Sequence, residues 1–163
     1  WLIHKDAKGE WQSTAVADIG DAKKIPLPVD ISIAADDSTL WVNTWNDGMA
    51  RLFDISDPFK PKQVFEQKIG DQVNMVSQSW DGKRVYFTSS LLANWDKTQG
   101  AQGDLQFFKA YDWDGKTLKQ TANVNFVGEK LGRAHQMTLG AYSVYKQAQS
   151  GTASKAPLAA AGQ

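Results

Sequence analysis

Residues 31–43, ISIAADDSTLWVN, align without gaps on residues 76–88, VSQSWDGKRVYFT. Asp36 in the first copy matches Asp81 in the second, which sets the offset between the copies at 45 residues. Each copy has the pattern of a strand, a turn centred on aspartate and a second strand. Four-stranded antiparallel units that recur at about this spacing are typical of β-propeller blades. The repeat therefore predicts an all-β chain built from propeller blades.

Short runs of alternating apolar and polar residues extend the strand pattern on both sides of the repeat. A third strand ends at Asp54 in the first copy and at Asp112 in the second, an offset of 58 residues. The second copy is therefore about 13 residues longer, and we place the extra residues in a loop at positions 91–103. The predicted strands are residues 29–34, 40–45, 50–55, 74–79, 84–89, 105–112 and 123–127.

These strands divide the chain into blades near residues 29–73 and 74–127, with a third unit that opens near Arg133. We assign residues 1–146 to the propeller and residues 147–163, rich in Ala, Gly, Ser and Thr, to a flexible tail. Two blades and a stub cannot close a ring, and an open propeller exposes sheet edges. We therefore expect a fragment whose ring is completed by a missing N-terminal segment or by a second chain. A complete small domain with a trimmed terminus is the alternative.

The composition argues against several functional classes. The 163 residues carry 18 basic and 18 acidic side chains, so the net charge gives no sign of nucleic-acid binding. There is no cysteine, which excludes disulfides, thiolate metal sites and cysteine nucleophiles. No run approaches the roughly 18 apolar residues of a membrane-spanning helix. We therefore expect neither nucleic acid nor a membrane span, and we leave a homo-oligomer open.

Five stretches carry a family resemblance: residues 29–33, 40–45, 53–58, 81–91 and 94–97. Together they resemble the C-terminal part of the selenium-binding protein family, whose bacterial members are methanethiol oxidases. The resemblance covers about residues 1 to 140, and residues 81–97 are its most specific part. The motif Asp-Ile-Ser-Asp-Pro at residues 54–58 occurs in many propellers and adds little by itself.

The resemblance implies a seven-bladed β-propeller with copper-dependent oxidase activity. Such an enzyme converts methanethiol, O2 and water to formaldehyde, hydrogen sulfide and hydrogen peroxide, and the bacterial members are periplasmic. The family's copper site is built mainly from histidines, most of them in parts of the protein that this chain lacks. A propeller that binds selenium or a metal without turnover, or that acts as an interaction scaffold, is the alternative.

His135 is the candidate metal ligand, because the family shows a similar Ala-His pair near its C-terminus and imidazole suits copper. At the start of an innermost blade strand, its side chain would point toward the central channel, where propellers usually bind ligands. A structural histidine that caps a turn is the alternative. Arg133 is assigned to the substrate pocket, where it would orient a carboxylate or an oxyanion. A surface salt bridge is the alternative for Arg133.

Met75 and Trp95 complete the predicted substrate pocket. Met75 lies 45 residues after Asp30, and we interpret Asp30, Met75 and His135 as comparable positions of successive blades. A thioether can bind Cu(I), although a methionine at this place is also typical of a core. Trp95 lies in the predicted insertion, where an aromatic side chain would wall a small apolar pocket suited to a methyl thiol. Packing of the insertion onto its own blade is the alternative for Trp95.

Two further positions are interpreted as structural. Residues 1–4 read like the inside of a strand, and His4 is expected at an exposed strand end. Some family members have a histidine two residues after the tryptophan that matches Trp45, whereas this chain has Asp47. Either that histidine is not an obligatory ligand, or an aspartate replaces it. We favour the first, because residues 46–48, Asn-Asp-Gly, fit a type I′ hairpin turn.

Overall fold

The computed structural model describes residues 1–89, 106–137, 139–140 and 146. Ten β-strands form the framework of this part of the chain, with one 3-10 helix at Ala22–Lys24. The strands are β1 (Leu2–Lys5), β2 (Trp11–Thr14), β3 (Pro28–Ile33), β4 (Thr39–Thr44), β5 (Met49–Asp54), β6 (Lys62–Lys68), β7 (Val73–Gln78), β8 (Arg84–Ser89), β9 (Phe107–Trp113) and β10 (Leu118–Asn125). No helix within the described ranges has the length and apolar character needed to cross a membrane.

Two four-stranded antiparallel sheets follow each other along the chain. β3, β4, β5 and β6 form the first sheet, which we call blade 1, and β7, β8, β9 and β10 form the second, blade 2. β1 and β2 form a separate hairpin. In both blades each strand pairs with the next strand in the sequence, which is the arrangement of a propeller blade. The prediction of an all-β chain with four-stranded propeller units is confirmed.

The 45-residue repeat is also visible in the backbone. β3 and β7 each contain a register irregularity within their first three residues. The residues just before these strands, Leu27 and Gln72, have φ angles of 59° and 53°. A positive φ is uncommon for residues that carry a Cβ atom. Its recurrence shows that both blades begin with the same backbone turn.

Trp41 lies at the centre of the apolar core between the blades and is 1% exposed. Its ring packs edge-on against Phe65 of blade 1 and against Phe87 and Trp113 of blade 2, with centroid separations of 5.9, 6.2 and 5.3 Å. Edge-to-face contacts at these separations are favourable for aromatic pairs. The aromatic cluster therefore fixes blade 1 against blade 2.

The sequence pattern predicts the last strand of each blade poorly. β6 is not among the predicted strands, and β10 begins at Leu118 rather than at residue 123. Both strands are mostly exposed, so polar residues occupy both faces and the alternation is weak. β1 is a strand as predicted, but Trp1 and Ile3 are exposed rather than inside a sheet.

The turn between β4 and β5, residues 45–48, differs from its prediction. A type I′ turn needs a positive φ at both central residues, but in this turn only Gly48 has one, at 63°. The carboxylate of Asp47 accepts hydrogen bonds from the Thr44 hydroxyl and from the backbone N–H of Met49. These bonds hold a wider four-residue turn, so the type I′ prediction is wrong.

The corresponding connection in blade 2 contains the extra residues. Four residues connect β4 to β5, whereas the 17 residues 90–106 separate β8 from β9. The difference equals the 13 residues inferred from the repeat. Most of this connection, including Trp95, lies outside the described residues, as does the predicted tail at residues 147–163.

Candidate functional site

Buried polar side chains collect at one end of the two blades, where β3, β5, β7 and β9 begin and the strands between them end. We call this the polar end. Of the ten buried polar or charged residues in the described part of the chain, all but Gln78 lie there. They are Asn43, Thr44, Arg51, Gln72, Asn74, Thr88, Ser89, Gln106 and Lys109. Because buried polar groups are costly unless they are paired, this concentration makes the polar end the candidate site.

In blade 1 the buried cation is Arg51, which is 4% exposed. It donates hydrogen bonds to the Asp47 carboxylate and to the Thr44 hydroxyl, both at 2.6 Å, and lies 3.4 Å from the Glu66 carboxylate. Burial alone would raise the pKa of Asp47, but hydrogen bonds from Arg51 and Thr44, together with the Arg51 charge, hold that pKa below its usual value. The Asp47 carboxylate is thus held in its own turn by these hydrogen bonds.

Blade 2 has a buried lysine at the same position. Arg51 lies opposite Val42 in the sheet, and Lys109 lies opposite Phe87, which is 45 residues after Val42. The Lys109 ammonium donates a hydrogen bond of 2.7 Å to the carbonyl of Ile69, in the connection between the blades. Each blade therefore uses a buried cation to hold a loop at the polar end.

Buried amide oxygens at the polar end lack a hydrogen-bond partner within the described residues. Examples are Asn43 Oδ1, Gln72 Oε1 and Gln106 Oε1. Buried polar atoms in folded proteins are nearly always bonded to protein groups or to ordered water. The polar end is therefore a place where water, a ligand or further protein completes the hydrogen bonding.

Residues 131–137 follow blade 2 and run beside it without an assigned strand. Ala134 is buried, whereas His135 is exposed. The Thr88 hydroxyl, on β8, donates to the carbonyl of His135, and the Ser77 hydroxyl, on β7, donates to the carbonyl of Met137 at 3.1 Å. The segment predicted to open a third unit is thus held against blade 2 by side chains that bind its backbone.

The imidazole of His135 makes no hydrogen bond, ion pair or ring contact with the described part of the chain. Within that part it therefore caps no turn. Its two nitrogens are uncommitted while its backbone is anchored. An exposed, uncommitted imidazole on an anchored backbone is suited to bind a metal or another group that lies outside the described residues.

The structure brings Met75 and the backbone of His135 to one face of blade 2. Met75 lies directly opposite Thr88, so their side chains project from the same face. Phe87, the neighbour of Thr88, packs toward blade 1, so Thr88 and Met75 project away from blade 1. Arg133 is exposed and lies two residues before His135.

The hydrogen bonds align His135 with Asn74 rather than with Met75. The Asn43 amide of blade 1 donates to the carbonyl of Asn74, and Thr88, 45 residues after Asn43, donates to the carbonyl of His135. The interpretation that places His135 at the position of Met75 is therefore wrong by one residue. The register of His135 against blade 2 is therefore set by the Thr88 hydroxyl and not by an alignment with Met75.

His4 lies far from this face, in the hairpin. Its Nε2 is 3.0 Å from the Thr14 hydroxyl oxygen, and its ring packs edge-on against Phe59 at 4.8 Å between centroids. It is half-buried rather than at an exposed strand end. These contacts explain His4 as a structural residue.

The donor set of the described residues fits one ligand of a metal site and not a whole site. Within them, no group of three or more His, Asp or Glu side chains comes together. His135 fits as a single imidazole ligand because it is exposed and uncommitted. Any further ligands would come from outside the described part of the chain.

A cavity of about 400 Å³ opens at the other end of the blades. Trp41, Trp80 and Trp113 line it together with Asp36 and Asp81. A hydrogen bond from a neighbouring serine lowers the pKa of each of these two aspartates, as is usual in turns. The cavity contains none of the predicted site residues, so the polar end remains the candidate site.

The sequence analysis does not predict a role for four residues of the polar end: Asn43, Thr88, Arg51 and Lys109. Asn43 and Thr88 align in the repeat, and each places a polar residue near the end of a strand that is otherwise buried. Arg51 and Lys109 are 58 residues apart, the offset that applies after the insertion. A polar residue shared by both copies at a buried position was the signal that could have found them.

Residues 1–139 match the family described as 56kDa selenium binding protein. The chain belongs to this family. The matched residues include the hairpin, both blades and the segment that carries His135. The family resemblance of the sequence is confirmed.

Two relatives in the family are methanethiol oxidases. The protein from Ruegeria pomeroyi is 63% identical over 145 residues, which are 89% of this chain and 33% of the relative. The protein from a Hyphomicrobium species is 63% identical over 137 residues, which are 84% of this chain and 31% of the relative. The chain thus spans about a third of the length of these relatives.

Solved structures show the same fold. A hypothetical selenium-binding protein from Sulfolobus tokodaii superposes with a TM-score of 0.61 and 25% identity, over 76% of this chain and 34% of that protein. A functionally unknown protein from Desulfotomaculum acetoxidans superposes with a TM-score of 0.54 and 14% identity, over 74% of this chain and 33% of that protein.

Proposed function

We propose that this chain is part of a methanethiol oxidase and supplies the C-terminal third of its propeller. The complete reaction consumes methanethiol, O2 and water and yields formaldehyde, hydrogen sulfide and hydrogen peroxide. The observation that carries the proposal is the 63% identity to two methanethiol oxidases over 89% and 84% of the chain. Both blades and the segment of His135 lie within the part that matches the family.

Copper is the proposed cofactor, and when bound it supplies the redox chemistry by which the thiol reduces O2. His135 is the proposed ligand from this chain, supported by its exposed, uncommitted imidazole and its anchored backbone. Since the described residues form no cluster of three or more ligand side chains, we assign the other ligands to the rest of the propeller.

The substrate pocket is proposed beside His135. Met75 is half-buried on the face of blade 2 that Thr88 shares, and its flexible thioether side chain suits contact with a methyl group. Arg133 is two residues from His135, and a nearby guanidinium favours the thiolate form of a thiol. Trp95, outside the described residues, remains part of the proposed pocket as an aromatic wall.

The remainder of the propeller is the proposed partner. Ile31 and Ile33 are 56% and 50% exposed, and as alternate residues of β3 they share one face. A further blade packed on this face would bury both side chains, as blade 2 buries Trp41. A periplasmic location and self-association of the assembled protein also belong to the proposal; the periplasmic location rests on the resemblance to bacterial members of the family.

The test uses the assembled propeller, by which we mean this chain together with the segment or chain that completes the ring. Supplied with methanethiol, it is expected to consume O2 and release sulfide and formaldehyde in equal amounts. The substitution His135→Ala is expected to lower the rate at least ~10-fold, as loss of a metal ligand does, while His4→Ala leaves it unchanged. Binding of metal or selenium without any O2 consumption would contradict the proposal and identify a non-catalytic propeller.

A further inference from the structure

The same contact between neighbouring units occurs twice in the chain. The Asn43 amide, near the end of β4, donates to the carbonyl of Asn74 near the start of blade 2. The Thr88 hydroxyl, near the end of β8, donates to the carbonyl of His135. Asn43 and Thr88 are the same position of the 45-residue repeat. The repeated contact is therefore part of how one unit packs against the next.

The buried residues support this equivalence. Val73 precedes Asn74 and is buried, and Ala134 precedes His135 and is also buried. A small apolar residue thus enters the structure just before each clamped carbonyl. Thr88 is itself 5% exposed, so its hydroxyl is removed from water and needs the His135 carbonyl as its acceptor.

A second hydrogen bond fixes the rotation of the segment. The Ser77 hydroxyl binds the carbonyl of Met137 at 3.1 Å, two residues beyond His135. Two carbonyls held two residues apart fix this stretch of backbone at two points, so it can neither slide along blade 2 nor rotate freely. The position from which the His135 side chain leaves the backbone is therefore set by these two hydrogen bonds.

We propose that Thr88 is a positioning residue for His135: its hydroxyl clamps the His135 carbonyl and so fixes the direction of the imidazole. This inference rests on the proposed role of His135 as a copper ligand. The clamp itself acts on the backbone and exists without the metal. It can therefore be tested both with and without copper.

The decisive variant is Thr88→Val, which keeps the shape of the side chain and removes the donor. Thr88→Ser keeps the hydroxyl, and Thr88→Asn introduces the residue that makes the contact in blade 1. Thr121→Val is the matched control, because the Thr121 hydroxyl also donates to a backbone carbonyl, that of Ala110, but within blade 2. All variants are studied in the assembled propeller.

The first measurement is amide hydrogen exchange of residues 133–137 in the copper-free protein. Thr88→Val is expected to speed exchange in this segment about 10-fold, the factor for a lost hydrogen bond of ordinary strength. Thr88→Ser, Thr88→Asn and Thr121→Val are expected to exchange like the parent. Unchanged exchange in Thr88→Val would overturn the clamp.

The second measurement is copper affinity by competition with a chelator. Loss of a group that orients a metal ligand typically weakens binding 10–100-fold, and we expect Thr88→Val to do so by about 10-fold, with Thr88→Ser and Thr88→Asn restoring it. Faster exchange with unchanged copper affinity would overturn the positioning role. If His135→Ala itself retains full copper, the proposed ligand is wrong, and the exchange data still decide whether the clamp exists.

Discussion

Asp47 is a partly buried carboxylate whose hydrogen bonds are supplied by its own turn. Its carboxylate binds Arg51 at 2.6 Å and the Thr44 hydroxyl, so it has no need of a cation other than the buried guanidinium. Arg51 in turn is 4% exposed and would be left without its closest counter-ion if the carboxylate were removed. We infer that Asp47 and Arg51 stabilise the turn as a pair.

This pair predicts a dependence of stability on pH. Because the folded pKa of Asp47 lies below the ordinary value of 3.8, its contribution is fully present above that value and is lost as pH falls through the folded pKa. Asp47→Asn is expected to lower the free energy of unfolding by about 1–2 kcal/mol at pH 7, and by less near pH 3. Denaturant unfolding of the assembled propeller across this range measures the difference. A difference that stays constant with pH would show that the carboxylate charge is irrelevant.

For single residues, the sequence could not predict the register of His135 against blade 2. The Ala-His pair makes His135 a candidate, but the third unit has no recognisable second copy of the repeat against which to set its register. The Thr88 hydroxyl supplies that register, and a threonine in a strand predicts no such partner by itself. The predicted alignment of His135 with Met75 is therefore wrong by one residue.

At the level of structural elements, the turn between β4 and β5 has no room for a side chain at Gly48. A Cβ atom at Gly48 would lie 1.8 Å from the carbonyl oxygen of Gly70, in the connection between the blades. The Gly48 carbonyl also accepts a hydrogen bond of 2.9 Å from Ile69 N–H. The turn of blade 1 and the connection to blade 2 are therefore in direct backbone contact.

Gly48→Ala and Gly82→Ala separate this contact from the cost of a positive φ. Both glycines have similar φ angles, 63° and 68°, but nothing lies within 4 Å of a Cβ at Gly82. Gly82→Ala is expected to cost about 1–2 kcal/mol, the cost of a left-handed alanine, and Gly48→Ala is expected to cost clearly more. Denaturant unfolding compares them. Equal losses of stability would contradict the close approach of Gly48 to Gly70.

Whether a strand could be predicted from the sequence depended on whether one of its faces is buried. Strands with a buried face, such as β4 and β8, were found because apolar residues alternate there. β6 was missed because its seven residues are mostly exposed and polar. The longer connection in blade 2 could be predicted because the offset between the two copies grows from 45 to 58 residues along the repeat.

For the whole molecule, the exposed apolar side chains predict self-association of the isolated chain. Ile31 and Ile33 share a face of β3, and Trp1, Ile3 and Trp11 are exposed in the hairpin. Exposed apolar surface and open sheet edges favour association. Residues 1–163 expressed alone are therefore expected to form oligomers or aggregates in analytical ultracentrifugation, and Ile31→Lys is expected to reduce this. A monodisperse monomer at all concentrations would contradict the prediction.

The family and the blade architecture could be read from the sequence because both depend on many residues of the repeat. A metal site could not be read in the same way, because within the described residues no three His, Asp or Glu side chains come together. Ligand sets in a ring of blades are assembled from several units, and a sequence that covers about a third of its relatives shows only part of them.

The most direct test of this account is the amount of copper bound per assembled propeller. The parent protein and His4→Ala are expected to bind copper equally, because His4 is engaged with Thr14 and Phe59 in the hairpin. His135→Ala is expected to lose most of its copper at the same free copper concentration while its fold, followed by circular dichroism, is retained. A His135→Ala protein that keeps the full copper content would contradict the assignment of His135 and place the metal site wholly outside this chain.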